Sequence, residues 1–279
     1  MSIYFIERVK YMKLTKIHTA GSDYLICTEP CQDSSALAMQ LLNRRVGIGA
    51  DGLIMLSEER RVELFLPDGK EGLFSSTALI AAAKYIYDTH GGESRVNLSF
   101  KDAVYSVRLS TMRGRVLCAW LDMPRIIPRP MEQLKYYHGI RGEVLRACIV
   151  HPKVSVYELC GDHAVFFMES CAALRALNIQ SVCRRLEEVL FYGENIDLHF
   201  MAVAGDNALA LRSWRCRIGE MSALGEGAVL SAYAATEYEI VDSHRIMVKS
   251  LNGSFCVELY GNEASLCAKC ETVFVGEAV

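Results

Sequence analysis

The sequence predicts an α+β fold of two pseudo-symmetric lobes, each with strands wrapped around a central helix. Two alanine-rich stretches, 76–87 and 226–238, lack a polar face, and such a helix must be enclosed by other structure. They follow similar loops at an equal distance, which gives a weak internal repeat, although two ordinary buried helices could also look alike. The 279 residues, 51% of them hydrophobic, can supply a large core.

The other elements are predicted from periodicity. Alternation of apolar and polar residues, punctuated by glycine and aspartate, predicts strands at 61–65, 104–109, 116–121 and 244–248. Helical spacing predicts one helix over 34–45, with Asp33 or Ser34 as its N-cap. A second helix is predicted over 172–190, ending near Gly193.

The boundary between the lobes is predicted at a proline-rich segment. Residues 123–130 hold three of the six prolines, and we place the boundary near there, within 125–150. The N-terminal lobe is then 1–130 and the C-terminal lobe 131–265. A final strand at 266–279 is expected to return to the N-terminal lobe.

Composition and charge exclude several function classes. The net charge is −3 and the basic residues are scattered, which argues against a nucleic-acid partner. No apolar run approaches the roughly 20 residues of a membrane span. The first twelve residues carry Glu7, Arg8 and Lys10 and lack the apolar region of a signal peptide, so we expect a cytoplasmic protein.

The cysteines indicate reduced thiols. Eleven cysteines, an odd count, in a chain without a secretory signal are more typical of packed thiols than of a disulfide framework. Cys267 and Cys270 have the spacing of metal ligands, but a structural zinc site normally needs a second pair. We therefore expect no metal.

Two loops, 66–78 and 218–228, carry the clearest chemical signal. They read Leu-Pro-Asp-Gly-Lys-Glu-Gly-Leu-Phe-Ser-Ser-Thr-Ala and Ile-Gly-Glu-Met-Ser-Ala-Leu-Gly-Glu-Gly-Ala, and they resemble the paired active-site loops of diaminopimelate epimerases. Segment 47–52, Gly-Ile-Gly-Ala-Asp-Gly, reproduces a turn of that family without a change. The resemblance covers almost the whole chain, because later family segments are matched in order at 160–165, 196–200 and 273–277.

The resemblance implies two barrels of mirrored topology that face each other across a cleft. It also implies inversion of an amino-acid α-carbon without pyridoxal phosphate or another cofactor. In the family each loop carries one thiol, because cysteine, with a pKa of about 8.5 that a helix N-terminus can lower, can serve as base or acid. The implied ligand is a small carboxylate or amino acid, and the implied assembly is a homodimer or a pair with a related subunit.

Both thiol positions hold other residues here, Ser75 and Leu224. Serine needs a neighbouring base before it can act, and leucine cannot titrate. The positions that match the family's substrate-binding amides and its glutamate–arginine pair also differ, reading Ser22, Leu66, Gly161, Asp197, Arg215 and Cys216. Epimerisation by the family mechanism is therefore not expected.

The candidate site residues follow from these matches. Ser75 and Glu226 are the candidate catalytic residues. The candidate ligand-binding residues are Ser22, Ser76, Thr77, His163, Asp197, Cys216, Gly225 and Gly227. The Ser76-Thr77-Ala78 turn stands where the family has Gly-Asn-Gly, and it narrows the space for a carboxylate.

Glu226 has three interpretations. Negative charge is favoured in the first turn of a helix, so it can cap its own helix and fill the anion site from within. It can instead be a replacement base facing Ser75, an arrangement similar to the phenazine-biosynthesis isomerases that share this scaffold. It can also be a surface residue without a role.

Three other residues near the expected cleft have two interpretations each. His163 is favoured as a structural histidine over a new catalyst. Cys160 and Cys216 either lie near the cleft by chance or form a relocated thiol pair.

Three functions remain open. The favoured one is a non-epimerising relative that acts through ligand binding or assembly. The second is a cofactor-independent isomerase, racemase or lyase acting on another small acid through Glu226, Ser75 or a shifted cysteine. The third is an authentic epimerase or racemase whose loops align differently, which the Asp68-Gly69 and Gly219-Glu220 anchors disfavour.

Overall fold

The structure is a computed structural model that describes residues 12–129, 154–189 and 195–278. The strands in the first range are β1 (Met12–Thr19), β2 (Ser22–Cys27), β3 (Gly52–Leu56), β4 (Arg61–Phe65), β5 (Arg95–Phe100), β6 (Ala103–Met112), β7 (Arg115–Asp122) and β8 (Ile127–Arg129). Those in the other ranges are β9 (Val154–Glu158), β10 (Asp162–Phe167), β11 (Ile196–Gly205), β12 (Ala208–Arg215), β13 (Gly219–Met221), β14 (Arg245–Lys249), β15 (Ser254–Tyr260), β16 (Glu263–Ala268) and β17 (Cys270–Ala278).

The helices interrupt the strands at corresponding places in each half. They are α1 (Ser34–Leu41), α2 (Ser76–His90), α3 (Cys171–Ala176), α4 (Ile179–Val189) and α5 (Gly225–Glu237). α1 connects β2 to β3, and α3 with α4 connects β10 to β11. α2 lies between β4 and β5, and α5 between β13 and β14.

Strand pairing repeats in the two halves. In the first half β2 and β3 are parallel, β3 and β4 antiparallel, β4 and β5 parallel, and β5, β6 and β7 antiparallel. In the second half β10, β11, β12, β14, β15 and β16 follow the same order of parallel and antiparallel pairs. The α+β class with two similar lobes is therefore confirmed.

Two further pairings connect the halves. β16 pairs antiparallel with β7, and the last strand, β17, pairs antiparallel with β1 along its whole length. The exact lobe limits stay predictions, because the boundary at 130/131 lies outside the described residues.

Each half encloses one apolar helix. α2 packs against β1 to β7 and β17, and α5 packs against β10, β11, β12, β14, β15 and β16. The alanines at 81–83 of α2 are fully buried, as are Ala228, Val229 and Leu230 of α5. Both helices belong to one apolar cluster that spans the two halves, as a helix without a polar face requires.

The two other predicted helices differ from expectation. α1 ends at Leu41, four residues early, because the Asn43 side chain accepts the backbone N–H of Arg45 and starts a turn. Asp33 is its N-cap, as predicted. The helix predicted over 172–190 is two helices, because Leu177 is extended and the side chain of Asn178 accepts the N–H of Ser181 to begin α4.

None of the helices in the described ranges is long and apolar enough to cross a membrane. The 190–194 segment, where the second helix was predicted to end, lies outside the described residues.

Candidate active site

The N-termini of α2 and α5 meet, and this brings the two loops together. Ser75 is the N-cap of α2 and Leu224 the N-cap of α5. A Cβ added to Gly225 would lie 2.1 Å from Ser76 Oγ, so the two helix starts are in direct contact and only glycine fits at this position. The two half-sites that the sequence predicted therefore face each other.

Glu226 crosses from one helix to the other. Its carboxylate is 2% exposed, and its Oε1 accepts the backbone N–H of Ser76 at 2.7 Å. The interpretation that Glu226 caps its own helix is thus corrected: it caps α2, while α5 has no side-chain cap. The positive ends of both helix dipoles favour a negative charge at this point.

The second carboxylate oxygen of Glu226, Oε2, differs from the first in its hydrogen bonding. Oε2 is buried and has no hydrogen-bond partner among the residues that the structure describes. The same is true of the neighbouring Ser76 Oγ. Buried polar atoms without a partner are rare and costly, so each needs an explanation.

Ser75 lies in a cluster of hydroxyl groups. Its Oγ accepts the N–H of Ala78 at 3.3 Å and lies 3.0 Å from the hydroxyl of Tyr24, which is 2.6 Å from Thr77 Oγ1. Burial raises the pKa of Tyr24. These partners are a peptide N–H and hydroxyls, none of which can take a proton from Ser75 at neutral pH. Ser75 and Thr77 therefore hold the start of α2.

The opposite cap offers no titratable group. Leu224 is 2% exposed and extended, with φ −135°. Next to it, the carbonyl of Ala223 accepts a hydrogen bond from Ser22 Oγ at 3.2 Å. Ser22, one of the predicted ligand-binding residues, thus joins the two halves through a hydrogen bond to the backbone.

A cavity of about 270 Å³ opens beside the helix starts, between loop 66–74 and the turns of the C-terminal half. Four of the predicted site residues line it: His163, Asp197, Cys216 and Glu226. The others, among the described residues, lie outside its wall: Ser22, Ser75, Ser76, Thr77, Gly225 and Gly227. Phe74 lines the cavity without filling it, and Leu224 is not one of its lining residues.

A buried ion pair forms one side of the cavity. Arg215 Nε donates to Asp197 Oδ2 at 3.2 Å, and Asp197 Oδ1 accepts the N–H of Cys216 at 3.0 Å. Burial lowers the pKa of the Arg215 guanidinium, but Asp197 and Glu226 outweigh it, so the pKa is raised. Asp197 is thus already paired within the chain.

A chain of hydrogen bonds supports the floor of the cavity. His163 Nε2 lies 3.1 Å from the carbonyl of Leu159, and its Nδ1 lies 3.0 Å from His199 Nε2. His199 Nδ1 lies 3.0 Å from Ser213 Oγ. Burial lowers the pKa of both histidines, and with both neutral each ring donates once and accepts once. This favours the structural interpretation of His163.

Tyr24, His199 and Ser213 also take part in the site, although they were not predicted from the sequence. His199 carried a signal, since a histidine within the apolar stretch 196–202 must find partners when it is buried. Gly227 also gains a role: a Cβ there would lie 2.4 Å from His199 Nδ1, so glycine lets α5 pack against the histidine.

Cys160 and Cys216 both line the cavity. They lie in turns of the same half, between β9 and β10 and between β12 and β13. Burial raises the pKa of both thiols. Cys160 Sγ also lies 3.8 Å from the Tyr105 hydroxyl. A proton relay needs a thiolate base, and these thiols are shifted away from that state.

The Cys267 and Cys270 pair lies apart from the cavity, on β16 and β17. Burial raises the pKa of Cys270 to about 12 and raises that of Cys267 as well. Within the described ranges no group of three or more histidine, cysteine or acidic residues could hold a metal ion. No disulfide joins the cysteines in those ranges.

No protein-family model matches the chain. Its sequence is nevertheless similar to curated diaminopimelate epimerases. The enzyme from Pelotomaculum thermopropionicum is 25% identical over 280 residues, which cover 95% of this chain and 98% of the relative. The enzyme from Desulfovibrio desulfuricans is 26% identical and covers 82% of this chain and 87% of the relative.

Solved structures share the fold. A phenazine biosynthesis protein of the PhzF family from Bacillus anthracis has a TM-score of 0.72 at 11% identity, covering 97% of this chain and 100% of that one. A hydroxyproline epimerase from Agrobacterium vitis has a TM-score of 0.62 at 12% identity, covering 96% of this chain and 91% of that one. The chain is therefore related in sequence to the diaminopimelate epimerases over most of its length, and it has the fold of this group of isomerases.

Proposed function

We propose that this protein is a diaminopimelate epimerase-like protein that does not epimerise and that acts through ligand binding or assembly. One observation carries the proposal: the carboxylate of Glu226 takes the Ser76 N–H at 2.7 Å. A substrate carboxylate would need this free helix N-terminus. Here the chain's own carboxylate occupies it.

The chemistry agrees with this proposal. Inversion of an α-carbon needs one group to remove a proton and another to deliver one to the opposite face. Leu224 offers no proton, and Ser75 has only hydroxyl and peptide partners. Each general acid or base contributes about 10²- to 10⁴-fold to a rate, so losing one and weakening the other removes the reaction on a useful timescale.

Exchange of α-protons with solvent tests the proposal. The protein is incubated in D₂O with diaminopimelate and with common amino acids, beside an active diaminopimelate epimerase as the control. We expect the control to incorporate deuterium and this protein to incorporate none, as measured by proton NMR. Deuterium at the α-carbon of any of these substrates overturns the proposal.

A second candidate has its own supporting observation. Glu226, Cys160 and Cys216 line one cavity, and this favours a cofactor-independent isomerase, racemase or lyase acting on a different small acid. A substrate screen followed by Glu226→Gln tests it, with Cys160→Ser and Cys216→Ser as companion variants. Turnover that survives all three changes would exclude these groups as the catalysts.

Assembly belongs to the favoured proposal. We propose a homodimer, or a pair with a related subunit, in the cytoplasm. Light scattering on purified protein gives the mass directly, and a monomeric mass at all concentrations, without a copurifying subunit, would contradict the assembly part.

A further inference from the structure

We propose that the cavity binds a small organic cation, such as a primary ammonium group, with Glu226 as its counter-ion. The inference rests on the proposed function, because it names the ligand class of the same non-epimerising site. It reverses the charge preference expected of a site built on two helix N-termini, which favours anions.

The first support is the half-used carboxylate of Glu226. This residue is only 2% exposed, and it lines the cavity. Its Oε1 accepts a hydrogen bond from the Ser76 N–H. Oε2 has no partner among the described residues. A buried carboxylate oxygen needs a donor, and an ammonium group supplies this hydrogen bond together with a positive charge, in addition to the charge of Arg215 that already acts on Glu226.

The second support is the closed anion site. The Ser76 N–H is already bonded to Glu226, and Ser76 Oγ lies against Gly225 so closely that a Cβ there would be 2.1 Å away. A ligand carboxylate therefore finds neither a free helix N–H of Ser76 nor space between the helix starts. It would also meet the negative charge of Glu226.

The third support is the charge of the wall. Its acidic residues are Asp68, Glu71, Asp162, Asp197 and Glu226, and its basic residues are Lys70, Arg215 and Arg217. The pairs Asp68–Lys70 and Asp197–Arg215 neutralise each other. Asp162 also lies 3.9 Å from Arg129, which leaves Glu71 and Glu226 against Arg217. The wall therefore carries one negative charge in excess, and this favours a cation.

Size and lining limit the ligand. A volume of about 270 Å³ lies just below the roughly 300–1,000 Å³ of typical small-molecule sites, so the ligand must be small. Leu66, Leu73, Phe74 and Leu159 supply apolar wall next to the charges. A short alkylamine fits both features, since its chain can contact these side chains while its ammonium group reaches Glu226.

Calorimetric titration of the full chain with cadaverine and with glutarate tests the inference. These probes have equal carbon counts and opposite charges. We expect cadaverine to bind and glutarate not to. Glu226→Gln keeps an oxygen for the Ser76 N–H but removes the charge, and it should weaken cadaverine binding by about 10- to 100-fold. Glu263→Gln, at an exposed acidic residue outside the cavity wall, is the control and should leave binding within about threefold.

Several results overturn the inference. They are tighter binding of glutarate than of cadaverine, equal cadaverine affinity in Glu226→Gln and the unchanged protein, and no cadaverine binding at tens of millimolar. Glu226→Thr supplies a second variant in case Glu226→Gln folds poorly, because it frees the Ser76 N–H. It should lose cadaverine and gain glutarate, and a retained preference for cadaverine contradicts the inference.

The calorimetric titration and the deuterium-exchange experiment test the two proposals independently. Deuterium exchange would remove the non-epimerising function even if cadaverine binds at Glu226. Absence of cadaverine binding would remove the ligand class while leaving the protein non-epimerising.

Discussion

At the scale of single residues, the site is made of polar groups that satisfy each other. Asp197 pairs with Arg215, Ser75 bonds to Tyr24 and Ala78, and His163 bonds to His199. These side chains are thereby used within the chain. Glu226 Oε2 is an exception, and it is the atom on which the ligand proposal depends.

The buried histidines make stability depend on pH. Burial lowers the pKa of His163 and His199 below 6.5, so below that pH the unfolded chain binds protons that the folded chain does not. Their contribution is complete above pH 6.5 and is lost as the pH falls. We expect the unfolding free energy to drop by up to about 1.4 kcal/mol per pH unit for each histidine.

Urea unfolding between about pH 7.5 and about pH 5.5 measures this dependence. His199→Gln should flatten it, whereas His244→Gln, at an exposed histidine, should retain it. Identical slopes for His199→Gln and the unchanged protein would show that the buried pair is not responsible.

The place of some site residues was predictable from the sequence, but their hydrogen bonds were not. Ser75, Leu224 and Glu226 could be placed at the helix starts because loop and helix are adjacent in the chain. The hydrogen bond between Glu226 and Ser76 could not be predicted, because it joins residues 150 positions apart in the chain. The partners of His199 were missed for the same reason.

At the scale of elements, the packing of α5 against α2, β11 and β12 depends on two glycines. Gly225 touches Ser76, and Gly227 touches His199 and Ser213. A Cβ at either glycine would overlap an atom of the neighbouring element, because distances of 2.1 and 2.4 Å are far below van der Waals contact. The helices reach this separation because no side chain intervenes.

A substitution at Gly225 should therefore destabilise the fold. We expect Gly225→Ala to lower the unfolding free energy by roughly 1–3 kcal/mol through overpacking, as measured by urea unfolding. Adding Ser76→Gly removes one overlapping group but leaves Leu266 Cδ2, which would lie 2.5 Å from the new Cβ, so it should recover part of the loss. Gly205→Ala is the control, because its Cβ would lie 3.7 Å from Ala208 Cβ, an ordinary contact. Equal losses for Gly225→Ala and Gly205→Ala would refute the packing argument.

The central helices were predictable because their lack of a polar face is a local property of the sequence. The long helix expected over 172–190 was wrong because apolar periodicity continues through its break. Leu177 and Asn178 change the backbone there, and Asn178 serves as a cap rather than a helical residue. The sequence predicted only that the last strand returns to the first half. That it pairs with β1, and in which register, could be read only from the structure.

At the scale of the whole molecule, the two halves share a core. The largest apolar cluster contains residues of both α2 and α5, and β7 pairs with β16 across the junction. The chain crosses back once more where β17 pairs with β1. Neither half buries its apolar surface alone.

The described halves should consequently unfold together. We expect one calorimetric transition, with the van't Hoff enthalpy equal to the calorimetric enthalpy. Glu226→Thr should lower the transition temperature without splitting the peak, because strands and core still join the halves. Two resolved peaks in the unchanged protein would mean that the shared core does not couple them.

The bridge from Glu226 to Ser76 also affects how the halves come together. Two converging helix ends repel each other unless a negative charge lies between them. Glu226 supplies this charge from within the chain, so the contact between the two helix starts needs no anion from outside the protein.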